Sequence, residues 1–203
     1  MWLTRMGRSE KMLSLGTLFW LMILFFAIIG SLRGWTREVI ATSGLILSLF
    51  AINQFGSLLL GFAPTGGAIP VERQRFYYLA ILHLTVAFFS YQGPTIAGTR
   101  LGEKLRVRDN FQDKLLGLII GALNGYLIVG SLWSFLEYRA QPGGGWLRLP
   151  VGEPYPFDFT VLTRPDFALG LDSLVGRLPL PLLAPYLPFL VVIVFLFVII
   201  VMI

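Results

Sequence analysis

The sequence predicts an all-α polytopic transmembrane protein, a four-helix core plus a fifth C-terminal transmembrane helix, on three observations. Of 203 residues, 56% are hydrophobic and 13% charged, against a charged fraction of about 25% in ordinary soluble domains. Five charge-free runs, Met12–Leu32, Val39–Val71, Phe76–Thr99, Leu115–Leu136 and Leu178–Ile203, together hold 126 residues. Each exceeds the ~20 residues that a helix needs to cross a hydrocarbon core of about 30 Å. The basic residues flank these runs, so the net charge of +5 reads as topology signal and headgroup contact rather than nucleic-acid binding.

The first span is expected near residues 13–32. Arg5, Arg8 and Lys11 precede it, but 21 apolar residues exceed the ~7–15 of a cleavable signal segment, so it reads as a retained helix. The second is expected over 39–62, because Pro64, Gly66, Gly67 and Pro70 break the run beyond Phe62. Spans over 76–99 and 115–136 complete a four-span unit, residues 1–136, joined by short polar connections. Residues 137–180 carry six prolines and six glycines and read as an extramembrane segment. There Phe167, Leu171, Leu174 and Leu178 follow Asp166 with the spacing of a short amphipathic surface helix. Tyr138, Trp146, Tyr155, Phe157 and Phe159 suit an aromatic anchor at the interface. Residues 181–203 form the last span, with Pro181, Pro185 and Pro188 at its entry and no small or polar residue from Phe189 on.

Arginine and lysine set the orientation. The connections 33–38 and 100–114 hold seven basic residues in 21 positions, which places them in the cytoplasm.

Hydrocarbon gives no hydrophobic drive between helices, so small residues that admit close backbone approach mark the packing seams. Gly117, Gly121 and Gly125 stand four apart on the fourth span; Ala41, Gly44, Ser48 and Ala51 form a heptad-like seam on the second; Ala27, Gly30 and Gly34 close the first. Asn124, beside the glycine face, is expected to bond across that seam. Polar residues within the spans are Asn53, Gln54, His83, Gln92 and Asn124, with no acid or base among them, which weighs against ion-coupled transport. His83, the single histidine, reads as a neutral imidazole bonded to a facing helix; the functional alternative is a ligand to haem or pigment, or a proton relay.

The chain has no cysteine, which removes disulfides and thiolate chemistry. Hydrolase, zinc-protease, phosphate-loop and dinucleotide motifs are missing from the sequence, and Asp109 and Asp113 sit among cations as a solvated face. The expectation is a non-enzyme with no cofactor. Arg33-Gly34-Trp35-Thr36-Arg37-Glu38 reads as a tight turn in which Thr36 caps the second helix, Trp35 and Ile40 staple it, and Glu38 meets the helix dipole.

This loop resembles the R-G-[FW]-x-R-E signature of the colicin V production protein (CvpA) family, through Arg33, Gly34, Trp35, Arg37 and Glu38. A second match runs from Asp113 and Lys114 through Gly117, Gly121 and Gly125, with Asn124 where many members have arginine. The resemblance covers about residues 13–136 and leaves the C-terminal third as an addition. It implies a bacterial inner-membrane protein linked to toxin export or envelope maintenance, without established catalytic chemistry. The expected partners are membrane lipids and other membrane protein subunits. Two function classes follow: an accessory or scaffold subunit of an export, respiratory or photosynthetic complex, or a small channel or exporter whose polar path Asn53, Gln54, Gln92 and Asn124 would line. An electron carrier built on His83 is a third.

Overall fold

A computed structural model describes residues 14–61, 70–96, 110–141, 145–151, 153–157, 164 and 172–202. Four long helices dominate: α1 (Leu15–Arg33), α2 (Trp35–Gly61), α3 (Val71–Ile96) and α4 (Asn110–Glu137). A short antiparallel hairpin follows, β1 (Tyr138–Ala140) and β2 (Trp146–Arg148), with Tyr138 opposite Arg148 and Ala140 opposite Trp146. The chain ends in α5 (Asp172–Val175), α6 (Pro179–Leu183) and α7 (Leu187–Met202).

α1, α2 and α4 are long and apolar enough to cross a membrane. α3 has 26 residues, about 39 Å at 1.5 Å per residue, but Tyr77, Tyr78, His83, Ser90 and Gln92 dilute its apolar character. Three helices begin earlier than their charge-free runs. α2 starts at Trp35 rather than 39, α3 at Val71 rather than 76 and α4 at Asn110 rather than 115, because charged side chains are good helix formers and continue the backbone ladder into the polar layer. Within the expected fifth span, residues 184–186 form a turn between α6 and α7, and the described part of α7 holds 16 residues, about 24 Å.

α4 is the hub, with α1 on one side and α2 and α3 on the other. Leu45, Leu49 and Ile52 of α2, Leu79 of α3 and Leu127 of α4 form the main core, and Leu180 and Leu187 from the C-terminal third are buried in the same cluster. Val175 and Leu178 join Phe19, Trp133 and Tyr138 in a second one. Val175, Leu178, Leu180 and Leu187 of the C-terminal third are thus packed into the bundle. Of the expected amphipathic helix, Asp166, Phe167 and Leu171 lie outside the described residues; Leu174 and Leu178 turn inward, toward the cluster around Phe19. Outward, the helices present Trp20, Leu24, Phe88, Phe89, Phe189 and Phe195, all more than half exposed, as a lipid-solvated surface requires.

Candidate functional site

The α1–α2 turn organises the most connected polar cluster. Gly34 ends α1, its N–H reaching Gly30 O, with φ +86°, a left-handed-side conformation that costs glycine nothing and other residues strain. The same residue starts α2, since its carbonyl accepts from Glu38 N at 3.4 Å. A glycine cannot supply a capping side chain; Asp113 of α4 does so, its Oδ1 accepting from Trp35 N at 3.1 Å. Thr36 is therefore not the cap. It lies one residue inside α2 and is buried. With Gly34 as N-cap, Arg33 and Glu38 occupy the two positions that an apolar staple usually takes. The Trp35–Ile40 staple is replaced by an ion pair, Arg33 Nη1 to Glu38 Oε1 at 2.8 Å.

Glu38 is fully buried and ties four helices together. Asn124 Nδ2 donates to its Oε2 at 2.8 Å and to its backbone O at 3.0 Å. Tyr91 OH donates to Oε2 at 3.2 Å. Arg33 Nη2 donates to Tyr91 O at 2.8 Å, and the guanidinium stacks 4.3 Å over the Tyr91 ring. Thr42 completes the set, donating to Glu38 O at 2.8 Å and lying 2.7 Å from Asn124 Oδ1. The expectation that no acid or base lies within a span fails here. Glu38 looks like a loop residue in the sequence because it adjoins Arg37, yet the early start of α2 turns it inward. Arg37, one residue before, stays exposed.

The glycine stripes of α1 and α4 face each other. A Cβ on Gly30 would stand 2.7 Å from Gly121 Cα, and one on Gly121 2.8 Å from Gly30 Cα. One on Gly117 would meet Gly30 C at 3.1 Å, and one on Gly125 Phe26 Cβ at 2.8 Å. Ala27 is buried alongside. The seam on α2 turns to α3 instead. A Cβ on Gly44 would fall 2.7 Å from Ser90 Cβ, Ser48 Oγ lies 2.9 Å from His83 Nδ1, Ala41 is buried and Ala51 half-buried. Asn124 sits beside the glycine face but reaches α2, not α1.

His83 is fully buried, paired with Ser48 and edge-on to Phe135 at 5.9 Å. Among the residues proposed for a polar path, Asn53 accepts from Trp146 Nε1 at 2.8 Å, Asn124 belongs to the Glu38 cluster, and Gln54 and Gln92 are exposed. They do not meet. Residues 97–109, including Asp109, lie outside the described residues.

A second ionic cluster closes the other end, and sequence reasoning missed it. Glu137, the last residue of α4, is fully buried. Arg164 Nη2 pairs with its Oε2 at 2.9 Å and also donates to Leu149 O at 3.1 Å, while Nη1 donates to the carbonyls of Pro150 and Glu153 at 2.6 and 2.7 Å. Tyr155 OH donates to Glu137 Oε1 and accepts from Trp133 Nε1 at 3.0 Å. Burial, then the adjacent carboxylate, pushes the Tyr155 phenol well above its ordinary range. Arg73 and Phe157 extend the clamp to α3, through Arg73 Nε to Pro156 O at 2.9 Å and Phe157 edge-on to Phe76 at 5.1 Å.

Apolar outer faces, backbone-close glycine seams and acids neutralised inside the bundle define a class: a multi-pass α-helical membrane protein. The chain belongs to the colicin V production protein family, whose model matches residues 15–148. That range runs from the start of α1 to the end of β2. No curated protein and no solved structure matches the chain.

Proposed function

We propose that the chain is a non-catalytic accessory or scaffold subunit of a larger assembly in the bacterial inner membrane, with loops 33–38 and 100–114 on the cytoplasmic side. One observation carries this reading: the two fully buried carboxylates among the described residues, Glu38 and Glu137, are satisfied by donors from the chain's own helices and loops. Acids held that way fix geometry; a catalytic or transporting acid needs a face open to its substrate. α7 supports the partner half of the proposal. It packs on α2 and turns Phe189, Ile193 and Phe195 outward, a smooth apolar face that another subunit can cover. Purification from native membranes in mild detergent, with quantitative mass spectrometry, tests it. A stoichiometric set of co-purifying membrane proteins is expected; a chain that emerges alone in every detergent overturns the proposal.

A small channel or exporter is the second reading. It is favoured by the polar residues along the interior, buried Glu38 and Ser48 and half-buried Thr42 on α2, facing His83 and Asn124. Ion or solute flux through reconstituted liposomes, abolished by Asn124→Leu, would establish it, and absence of flux under every gradient removes it.

A further inference from the structure

A groove of about 670 Å³ opens on the outer face between α1, α4 and the 172–183 segment, within the roughly 300–1,000 Å³ of small-molecule sites. Phe19 and Ile23 of α1, Ala122 and Tyr126 of α4, and Leu182 line it, and its charged residue is Arg177. We propose that this groove holds an acyl chain of an anionic phospholipid whose phosphate rests on Arg177.

Direction supports that occupant. The 172–178 stretch packs against Leu15 and Phe19, near the start of α1, and against Trp133 and Tyr138, near the end of α4. Tyr126 OH fixes the backbone there by donating to Arg177 O at 2.5 Å. From that end the floor runs one helical turn inward, from Phe19 to Ile23 and from Tyr126 to Ala122, toward the middle of both helices. A lipid has the same polarity, with its headgroup outside and its chain within. Trp20, 59% exposed on the rim, stands at the headgroup end, where indoles concentrate in membrane proteins. Charge gives the headgroup. Arg177 is exposed and, among the described residues, pairs with no carboxylate, while the nearby acid, Asp172, is engaged by Arg148. An exposed cation at the mouth of an apolar groove favours a negative headgroup over a zwitterionic one.

The test is native mass spectrometry of the full chain from nanodiscs containing phosphatidylglycerol and phosphatidylcholine of identical acyl chains. The wild type is expected to retain phosphatidylglycerol selectively. Arg177→Gln is expected to lower that retention about fivefold, the factor one basic residue contributes at an anionic surface, and Lys114→Gln, at the opposite end of the bundle, to leave it unchanged. Ala122→Trp, which fills the floor, is expected to expel both lipids. Equal retention of the two lipids overturns the proposal, as does equal loss in R177Q and K114Q, which is general headgroup attraction. A protein subunit displacing lipid in wild-type preparations also overturns it. Arg177 is exposed, so R177Q reads binding even if A122W does not fold.

Discussion

At the α1–α4 seam a single methyl group is a measurable perturbation. In Gly121→Ala the new Cβ stands 2.5 Å from Phe26 O, 2.8 Å from Gly30 Cα and 3.1 Å from Gly30 N, where carbon atoms prefer about 3.5–4.0 Å. All three obstructing atoms are backbone, so no side chain can swing aside; the helices must part by roughly 0.7–1 Å, forfeiting a quarter to a half of each contact's attraction. Overpacking of this kind costs about 1–3 kcal/mol, offset by the ~1 kcal/mol that alanine gains over glycine in helix propensity. We expect a net loss of up to about 2 kcal/mol. Gly56→Ala is the control, because its nearest neighbour, Ile52 Cγ2, lies 4.0 Å away; it should stabilise by up to ~1 kcal/mol. Gly30→Ala and Gly121→Ala obstruct the same contact, so their combination should cost less than the sum. Titration of detergent-solubilised protein with a denaturing detergent, followed by tryptophan fluorescence and circular dichroism, measures all four variants. A Gly121→Ala protein as stable as Gly56→Ala, or additive losses in the double variant, would refute the account of the seam.

The Glu38 cluster predicts an asymmetry. Arg33→Gln strands a fully buried carboxylate and should cost about 3–5 kcal/mol, whereas Glu38→Gln leaves a partly exposed arginine free to reach the headgroups and should cost less; the same unfolding titration compares them. Ser48→Ala removes the hydroxyl that meets His83 Nδ1 and should destabilise by about 1–3 kcal/mol, and Ser48→Ala with His83→Phe should recover part of that loss. At the far end, the raised Tyr155 phenol contributes stability that is fully present below the unfolded phenol's ~10 and is lost as the pH climbs toward the folded value, since the unfolded chain ionises first. Tyr155→Phe should flatten that alkaline decline, read from thermal unfolding against pH. Arg164→Gln should expose the Leu149–Tyr155 stretch that Arg164 pins, which limited proteolysis detects.

The glycine stripes were legible because close backbone approach has few sequence solutions, and a four-residue spacing marks one face without any knowledge of the partner. Which stripes meet was not legible: α1 takes α4, and α2 takes α3. The Glu38 cluster was half-readable. Its residues stand in the family signature, but a carboxylate next to two arginines in a tight turn has the composition of a solvated loop, and its burial depends on Asn124, 86 positions away. The Glu137 clamp had no local signal. Arg164 lies in a Pro/Gly-rich stretch, and its partners are mostly backbone carbonyls, which every residue carries. The C-terminal third was read as an addition because it lacks the family pattern, and how its apolar residues pack was not legible, since they look the same whether lipid or protein covers them.

Asp113 capping Trp35 gives the turn at Gly34 a history as well as a shape. The N–H group that opens α2 finds its acceptor 78 residues downstream, in a helix that leaves the ribosome after the first hairpin. Until α4 arrives, that elbow has a free amide and its first helix an uncovered glycine groove. Assembly must therefore finish in the lipid after all four long helices have emerged, and a nascent chain truncated before Asp113 holds its first two helices without the residue that sets their angle.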